Sequence, residues 1–330
     1  MAKTRIAGTG SSVPEKILTN FDLEKMVETS DSWIRERTGI QERRVCDSQT
    51  SASDLATEAA QKALADANVS YIEEIDLILV ATTTPDYPLF PSTGAIIQQN
   101  LNAPFTPAFD ISAACTGFVY ALTTATAYIR SRMYKKILLV CVDVLTKSLD
   151  WEDRSTSILF GDGAGAMVLE ACETDTGSDI LSFDLHADGG GKNILIVPAG
   201  GSRRPFSPEA YEERECYIKM DGQAVYKFAV TAIVRTVQKS LEEAGLSKDD
   251  IRFFIPHQAN IRIINSAAKK MGFTEDQVKI NLERYGNTSS ASIPLVLDEL
   301  NQAGEIKRGD IIVTAGFGAG LTWGSAILRW

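Results

Sequence analysis

The amino-acid sequence predicts an α/β protein built from a duplicated unit. Segments with a helical hydrophobic period alternate with short apolar runs, which is the pattern of α/β architecture. The stretch QKALADANVSYIEEIDLILV (61–80) is similar to QKSLEEAGLSKDDIRFFIP (238–256), and the elements after each stretch follow in the same order. The two copies end in similar glycine-containing strands, GAGAMVLEA and WGSAILRW. We therefore expect two equivalent halves, residues 1–175 and residues 176–330.

Hydrophobic periodicity gives the individual elements. A period of 3.6 residues predicts helices at 51–68, 93–101, 116–132, 223–244, 260–271 and 289–303. Short apolar runs predict strands at 75–82, 136–143, 164–171, 251–256, 310–318 and 324–330. Either Asn260 or Gln258 is suited to cap the helix at 260–271. In the alignment of the halves, Cys115 lies opposite Asn287 and Ala81 lies opposite His257.

Composition limits the classes of function. The chain has 330 residues, 44% of them hydrophobic and 23% charged, as in ordinary globular proteins. A formal net charge of −10 argues against a nucleic-acid-binding surface, although a local basic patch could still bind an acidic partner. No apolar run is long enough to span a membrane, and the first residues lack the apolar core of a signal peptide. We expect a cytoplasmic protein without membrane insertion.

The five cysteines are widely spaced, and none has a partner at the spacing of a zinc site. We expect neither disulfides nor a bound metal. Cys141 and Cys172 lie in or beside apolar runs, where a buried cysteine simply packs. Cys115 differs, because FDISAACTGF places it between small residues at the start of a predicted helix. The helix N-terminus favours a thiolate and can stabilise an oxyanion, yet the residues alone leave core packing equally open.

The chain has two histidines. His186, in HADGGG, is predicted to lie in a glycine-rich loop and to serve packing. His257, in IPHQANIRI, follows an apolar strand and precedes a helix, where open α/β sheets build their sites. Asn287, in RYGNTSSAS, is by itself adequately explained as a turn and cap residue.

Four motifs together closely resemble the β-ketoacyl-acyl carrier protein synthase III family, the initiating condensing enzymes of type II fatty acid synthesis. They are AFDISAACTGF, IPHQANIRI, RYGNTSSASIPL and GFGAGLTWGSAILRW. The resemblance begins at GTGSSVPE and continues to the final tryptophan. It implies a thiolase-like fold, in which a duplicated α/β unit with mixed sheets forms five layers (αβαβα).

The resemblance implies a catalytic triad of Cys115, His257 and Asn287. Cys115 would take an acyl group from acyl-CoA, and malonyl-acyl carrier protein would then lose carbon dioxide and attack that thioester. Two neutral donors, the His257 Nε2–H and the Asn287 amide, would stabilise the enolate. The backbone N–H groups of Cys115 and Ala319 would form a second oxyanion site. The family often has glycine at position 319, but only the backbone is required there.

The resemblance also implies binding residues. Those expected to hold CoA are Trp33, Arg37, Arg154, Gly222 and Asn260. Those expected to contact the acidic acyl carrier protein are Gln258, Arg262, Lys269 and Lys270. Phe90 would reach the acyl pocket of a second subunit, since the family is usually dimeric. Acyl-CoA and malonyl-acyl carrier protein are substrates, and no cofactor is implied.

Related enzymes fit the residues less well. Thiolases need a second cysteine near the C-terminus, and no cysteine follows Cys216. Elongating ketoacyl synthases need a second catalytic histidine where this chain has Asn287. A synthase III homologue from a polyketide or other secondary-metabolite pathway remains open, as does the starter chain. A non-catalytic acyl-carrier-binding paralogue would be expected to lose one of the three triad residues, and all three are present.

Overall fold

Helices and strands alternate along the whole chain in the computed structural model, which describes residues 2–172 and 177–330. The strands are β1 (Lys3–Ser12), β2 (Ile17–Thr19), β3 (Glu42–Arg44), β4 (Leu77–Ala81), β5 (Ala108–Ile111), β6 (Lys136–Val144), β7 (Asp162–Cys172), β8 (Asp179–Ala187), β9 (Leu195–Ile196), β10 (Lys219–Met220), β11 (Phe253–Pro256), β12 (Ile311–Gly318) and β13 (Thr322–Arg329). The helices are α1 (Asn20–Leu23), α2 (Asp31–Thr38), α3 (Ala52–Asp66), α4 (Thr93–Asn100), α5 (Gly117–Arg130), α6 (Arg154–Ser157), α7 (Pro208–Glu212), α8 (Gly222–Ala244), α9 (Ile261–Met271), α10 (Leu282–Tyr285) and α11 (Ser292–Gln302).

Two mixed sheets form the framework. The first has the strand order β5-β4-β6-β7-β1, and the second has the order β11-β12-β13-β8. In the first sheet β4 runs parallel to β6, and β6, β7 and β1 alternate in direction. In the second sheet β11 runs parallel to β12, and β12, β13 and β8 alternate in the same way. The expected duplication into two mixed sheets is confirmed.

The helices pack in three layers around the sheets. Alternate residues of β4 point to opposite faces, so Leu77 and Leu79 join the central core while Ile78 and Val80 join an outer core with α3 and α4. The central core also contains apolar side chains of α5, α11 and the second sheet. A third core joins the far face of the second sheet to α8 and α9. The five expected layers are therefore present.

Most predicted elements lie within a few residues of their observed bounds, but two long strands were missed. β1 contains Gly8 and Gly10, where the backbone of α3 comes too close for a side chain. The other missed strand, β8, alternates polar and apolar residues. His186 lies in β8 and not in a loop, which corrects that prediction. Its ring stacks on Trp323 of β13, 5.2 Å away between centroids, because these two residues are paired in the ladder.

The alignment of the two halves also needs a correction. A short 3-10 turn precedes α5 at Ala114–Thr116, and a similar turn precedes α11 at Ser289–Ala291. Both turns begin with a residue in the left-handed region, Ala114 at φ 48° and Ser289 at φ 51°. Cys115 is therefore equivalent to Ser290 and not to Asn287. The predicted alignment was wrong by three residues because the second half has the extra helix α10 before its turn.

The proposed division between residues 175 and 176 lies outside the described residues. Among the helices that are described, none combines the length and the apolar character that crossing a membrane requires.

Candidate active site

One cavity of about 450 Å³ is lined by Cys115, His257 and Asn287. Cys115 lies just before α5, His257 follows β11, and Asn287 lies between α10 and α11. The three residues come from the facing ends of the two duplicated halves, which explains how residues so far apart in sequence reach one cavity. All three side chains are almost completely buried.

Cys115 lies where this cavity meets a second, smaller one. The second cavity has a volume of about 160 Å³, and its lining includes Cys115, Ala319 and several apolar side chains. These apolar side chains are Leu145, Phe160, Leu195, Ile196, Val197 and Ile218. Cys115, Phe160 and Leu195 line both cavities. A ligand entering through the larger cavity can therefore pass the sulfur and extend into an apolar pocket.

The backbone around Cys115 is tightly packed. A Cβ atom on Gly318, at the end of β12, would lie 2.7 Å from the backbone nitrogen of Cys115. Only glycine lets β12 come this close. The chain then turns so that Ala319 lines the small cavity beside Cys115.

Burial keeps the Cys115 thiol neutral. The pKa of Cys115 is raised to about 12: desolvation is the largest cause, a hydrogen bond from the Ser289 side chain opposes it, and the buried carboxylate of Asp143 adds a smaller increase. This result differs from the expectation that the helix N-terminus would favour a thiolate. Loss of solvent is the largest cause of the shift, so the resting sulfur carries its proton.

His257 is held by its backbone and by one ring nitrogen. Its N–H donates to the Ala315 carbonyl at 2.7 Å. Nδ1 lies 2.8 Å from Ser292 Oγ, which in turn lies 2.9 Å from the Ser289 carbonyl oxygen. The Ser292 hydroxyl has one proton and can donate it to only one of these two partners. If it donates to Nδ1, the ring proton of His257 is on Nε2. If it donates to the Ser289 carbonyl, the ring proton is on Nδ1 and Nε2 is an acceptor. Burial lowers the pKa of His257 to about 3, so the ring is neutral.

Asn287 presents the donor end of its amide. Its backbone N–H donates to the Leu159 carbonyl at 2.8 Å, and its backbone carbonyl accepts from the Gly161 N–H at 3.1 Å. Its Oδ1 accepts from the Ser289 N–H at 2.9 Å. Because the acceptor end is occupied, the Nδ2 hydrogens are the part available to a substrate oxygen.

Sequence reasoning missed the serine-rich turn that supports this site. Ser289 contacts Asn287 through its N–H, and Ser292 contacts His257 through its hydroxyl. Ser290 donates its Oγ–H to Asp143 Oδ2 at 2.8 Å. The run NTSSAS was the available signal, but small polar residues after a glycine are equally typical of an ordinary turn.

The wide end of the large cavity contains several of the residues expected to bind CoA. Trp33, Arg37, Gly222 and Asn260 line it. The guanidinium carbons of Arg37 and Arg154 lie 4.6 Å and 4.8 Å from the centre of the Trp33 ring. Asn260 also caps α9, since its Oδ1 accepts from the Arg262 N–H at 2.8 Å, which confirms one of the two capping residues considered.

The residues expected to contact the carrier protein fall into two groups. Arg262, Lys269 and Lys270 are exposed on α9, with Arg262 Nη2 3.8 Å from Glu36 Oε1. Gln258 is completely buried, and its amide bonds Asn281 and the Ser292 carbonyl. It cannot contact a partner at the surface, so that expectation is corrected. Gln258 is the second residue after β11, where the chain is still in the core.

Phe90 is 80% exposed and lies in the loop between β4 and α4. It does not line the 160 Å³ cavity of its own chain. Within residues 2–172 and 177–330, no group of three or more histidine, cysteine, aspartate or glutamate side chains has an arrangement that could hold a metal ion.

The fold and this site together define the class of protein. A five-layer duplicated α/β fold with a buried cysteine, histidine and asparagine on one cavity is that of a thiolase-like condensing enzyme, an acyltransferase.

Comparisons with known proteins give the particular family. Residues 109–189 match the family described as 3-oxoacyl-[acyl-carrier-protein] synthase III, and residues 241–330 match its C-terminal region. The chain is 52% identical to the β-ketoacyl-[acyl-carrier-protein] synthase III of Caldanaerobacter subterraneus subsp. tengcongensis, over 98% of this chain and 97% of that protein. The crystal structure of 3-oxoacyl-[acyl-carrier-protein] synthase III from Aquifex aeolicus VF5 is similar, with a TM-score of 0.91 and 45% identity over 99% of this chain and 100% of that one. The chain belongs to the β-ketoacyl-acyl carrier protein synthase III family.

Family membership fixes the activity in outline. The enzyme is an acyltransferase that performs the initiating condensation of fatty acid biosynthesis. The non-catalytic alternative considered from the sequence is thereby excluded.

Proposed function

We propose that the condensation proceeds through a thioester on Cys115, with acyl-CoA as the donor and malonyl-acyl carrier protein as the acceptor. The observation that supports this route is the shared lining of the 450 Å³ cavity by Cys115, His257 and Asn287. One nucleophile and two neutral polar groups are what a decarboxylative condensation requires, since a strong acid would protonate the carbanion.

In the first step the sulfur of Cys115 attacks the carbonyl carbon of acyl-CoA. A carbon–sulfur bond to Cys115 forms, the bond to CoA breaks, and the thiol proton ends on the sulfur of CoA. The oxyanion that forms in between is stabilised by the backbone N–H groups of Cys115 and Ala319. The acyl chain enters the 160 Å³ apolar cavity on the far side of the sulfur.

In the second step malonyl-acyl carrier protein loses carbon dioxide, and the electron pair of that bond forms an enolate. The Nδ2–H of Asn287 and the Nε2–H of His257 stabilise the enolate oxygen, a role that needs the Ser292 hydroxyl to donate to Nδ1. The enolate carbon attacks the Cys115 thioester. The carbon–sulfur bond breaks, the sulfur takes a proton from water, and 3-oxoacyl-acyl carrier protein leaves. No cofactor takes part.

Substrate binding uses the wide end of the same cavity. Trp33, Arg37 and Arg154 provide a flat aromatic face and two cations, which suit an adenine and phosphates. Gly222 and Asn260 lie beside the path of the pantetheine. The acidic carrier protein docks on Arg262, Lys269 and Lys270 of α9. Arg262 also lines the cavity, and the two lysines are exposed in the last turn of the same helix.

The enzyme works as a homodimer in the cytoplasm, with residues 1–175 and 176–330 as the two halves of each subunit. Two features support a second subunit. The strand β5 is at the edge of its sheet and is only half buried. The loop between β4 and α4 exposes Tyr87, Leu89 and Phe90, and a cavity of about 640 Å³ next to the acyl pocket could receive such a loop from a second subunit.

The two steps are tested separately by mass measurement and by product formation. Cys115→Ser should prevent transfer of an acyl group from a panel of acyl-CoA donors to the protein. His257→Ala and Asn287→Ala should still be acylated, whereas their condensation with malonyl-acyl carrier protein should fall on the order of 10²-fold or more. Acylation of the Cys115→Ser variant at the wild-type rate, or wild-type condensation by the other two, would contradict the proposal.

A further inference from the structure

Asp143 is a completely buried carboxylate that joins the two halves of the site. It lies near the end of β6. Its Oδ1 accepts from the Thr83 N–H at 2.7 Å, and its Oδ2 accepts from the Ser290 N–H at 3.2 Å and from the Ser290 Oγ–H at 2.8 Å. One side chain thus connects the loop after β4 in the first half to the serine-rich turn in the second half.

The duplication shows that this contact has a counterpart at Cys115. The Asp76 N–H donates to the Lys136 carbonyl just as the Arg252 N–H donates to the Ile311 carbonyl. This correspondence makes β6 equivalent to β12, so that Asp143 is equivalent to Gly318. Gly318 of the second half lies beside the Cys115 N–H of the first half, and Asp143 of the first half lies beside the Ser290 N–H of the second half.

The two equivalent turns differ in what lies beside their backbone N–H groups. In the Cys115 turn the neighbour is Gly318, which has no side chain to fill the space beside the Cys115 N–H. In the equivalent Ser290 turn a carboxylate is bonded to the N–H. A negative group therefore occupies the position that, at Cys115, would accommodate a reaction oxyanion. The second turn is thus a fixed support and not a second reaction site.

The Ser290 turn holds the groups that face Cys115. Its neighbour Ser289 bonds Asn287 Oδ1, and Ser292 bonds His257 Nδ1. We propose that Asp143 is a positioning residue of the condensation, which fixes this turn and thereby the Asn287 amide and the His257 ring. The proposal rests on the roles proposed above for Cys115, His257 and Asn287.

An uncharged residue of the same shape cannot replace Asp143. Each of its two oxygens accepts a backbone N–H, whereas asparagine has a single acceptor oxygen. In either amide orientation one buried N–H would face an NH₂ group and lose its partner. The negative charge also acts on the nucleophile, because it opposes formation of the Cys115 thiolate.

The experiment compares Asp143→Asn with the wild-type enzyme in three assays. Condensation should lose about 10²-fold in kcat, the cost of misplacing reacting groups by about 1 Å. Acylation by acyl-CoA should be unchanged or faster. The pH profile of Cys115 alkylation by iodoacetamide should shift toward lower pH, because a like charge has been removed. The other titratable groups that line this cavity are His257, Arg37, Tyr226, Lys227 and Arg262.

A second buried carboxylate provides the matched control. Asp162 of β7 accepts from the Cys46 N–H at 2.8 Å and from the Thr146 N–H at 2.9 Å, and it lines neither the 450 Å³ nor the 160 Å³ cavity. Asp162→Asn should lower the thermal midpoint of unfolding, but it should leave the alkylation profile and the ratio of condensation to acylation unchanged.

A milder variant protects the test against misfolding. Ser290→Ala keeps the charge and the backbone bond but loses one hydrogen bond, so condensation should fall about fivefold with an unchanged alkylation profile. Wild-type condensation by both folded variants, or equal losses in both steps as for a simple loss of stability, overturns the role of Asp143. Acylation of a Cys115→Ser enzyme would instead overturn the proposed function.

Discussion

Burial sets the charge state of both reacting side chains. It raises the pKa of Cys115 to about 12 and lowers the pKa of His257 to about 3. Both groups are therefore neutral over the pH range in which enzymes work. A neutral imidazole suits a reaction whose intermediate is a carbanion equivalent, because an imidazolium would be a stronger acid toward it. The Cys115 sulfur carries the acyl group at that stage and has no proton to give.

The low pKa of His257 predicts a pH dependence of stability. Between pH 6.5 and pH 3 the unfolded chain binds a proton on His257 and the folded chain does not, so the free energy of unfolding falls as the pH is lowered through this range. Above pH 6.5 this contribution is constant. From pH 7.5 to pH 5.5 the loss should be about 1.4 kcal/mol. It is measured by denaturant unfolding at the two pH values.

A variant without the imidazole isolates this contribution. His257→Asn should reduce the difference between the two pH values by that amount, while His186→Asn, at a half-exposed position, should retain the His257 contribution. An unchanged pH dependence in His257→Asn would contradict a buried neutral ring.

At the scale of elements, the site depends on how closely β12 approaches the turn before α5. A side chain on Gly318 would lie 2.7 Å from Cys115 N and 3.1 Å from its Cβ. Gly318→Ala should therefore push the turn away from β12. We expect a loss of about 1–3 kcal/mol in unfolding free energy and a large loss of Cys115 acylation, measured by denaturant unfolding and by protein mass.

Gly189→Ala is the matched control, because a Cβ there would have no neighbour within 4 Å. It should leave both quantities unchanged. Full acylation by Gly318→Ala would show that the turn does not need this close contact.

The elements also show what sequence reasoning could reach. Periodicity located the main helices and the apolar strands, because burial on one face leaves a direct signature. It missed β1, because Gly8 and Gly10 interrupt the apolar pattern. These positions need glycine, since the backbone of α3 packs directly against them. Their places at helix and strand ends made Cys115 and His257 candidates, and the family resemblance then implied their roles. The support from Asp143 could not be predicted, since a single aspartate in an apolar strand gives no sign of its partner 147 residues away.

At the scale of the whole molecule, duplication explains why the site is asymmetric. Equivalent turns meet at the centre, where one carries Cys115 beside Gly318 and the other carries Ser290 bonded to Asp143. A symmetric pair would place two nucleophiles or two carboxylates together. The fold supplies the same backbone twice, and side-chain differences assign one copy to the nucleophile and the other to its support.

The last prediction concerns the exposed apolar loop before α4. In the part of the chain that the structure describes, neither this loop nor the edge of β5 is covered by another segment. Phe90 and Leu89 are 80% and 83% exposed, an unusual cost for adjacent apolar residues unless another surface covers them. The wild-type enzyme should sediment as a dimer, and Phe90→Asp should weaken association and reduce acylation. Tyr71→Asp, at a residue 73% exposed elsewhere, should change neither property. A fully active monomer would show that the acyl pocket is complete within one chain.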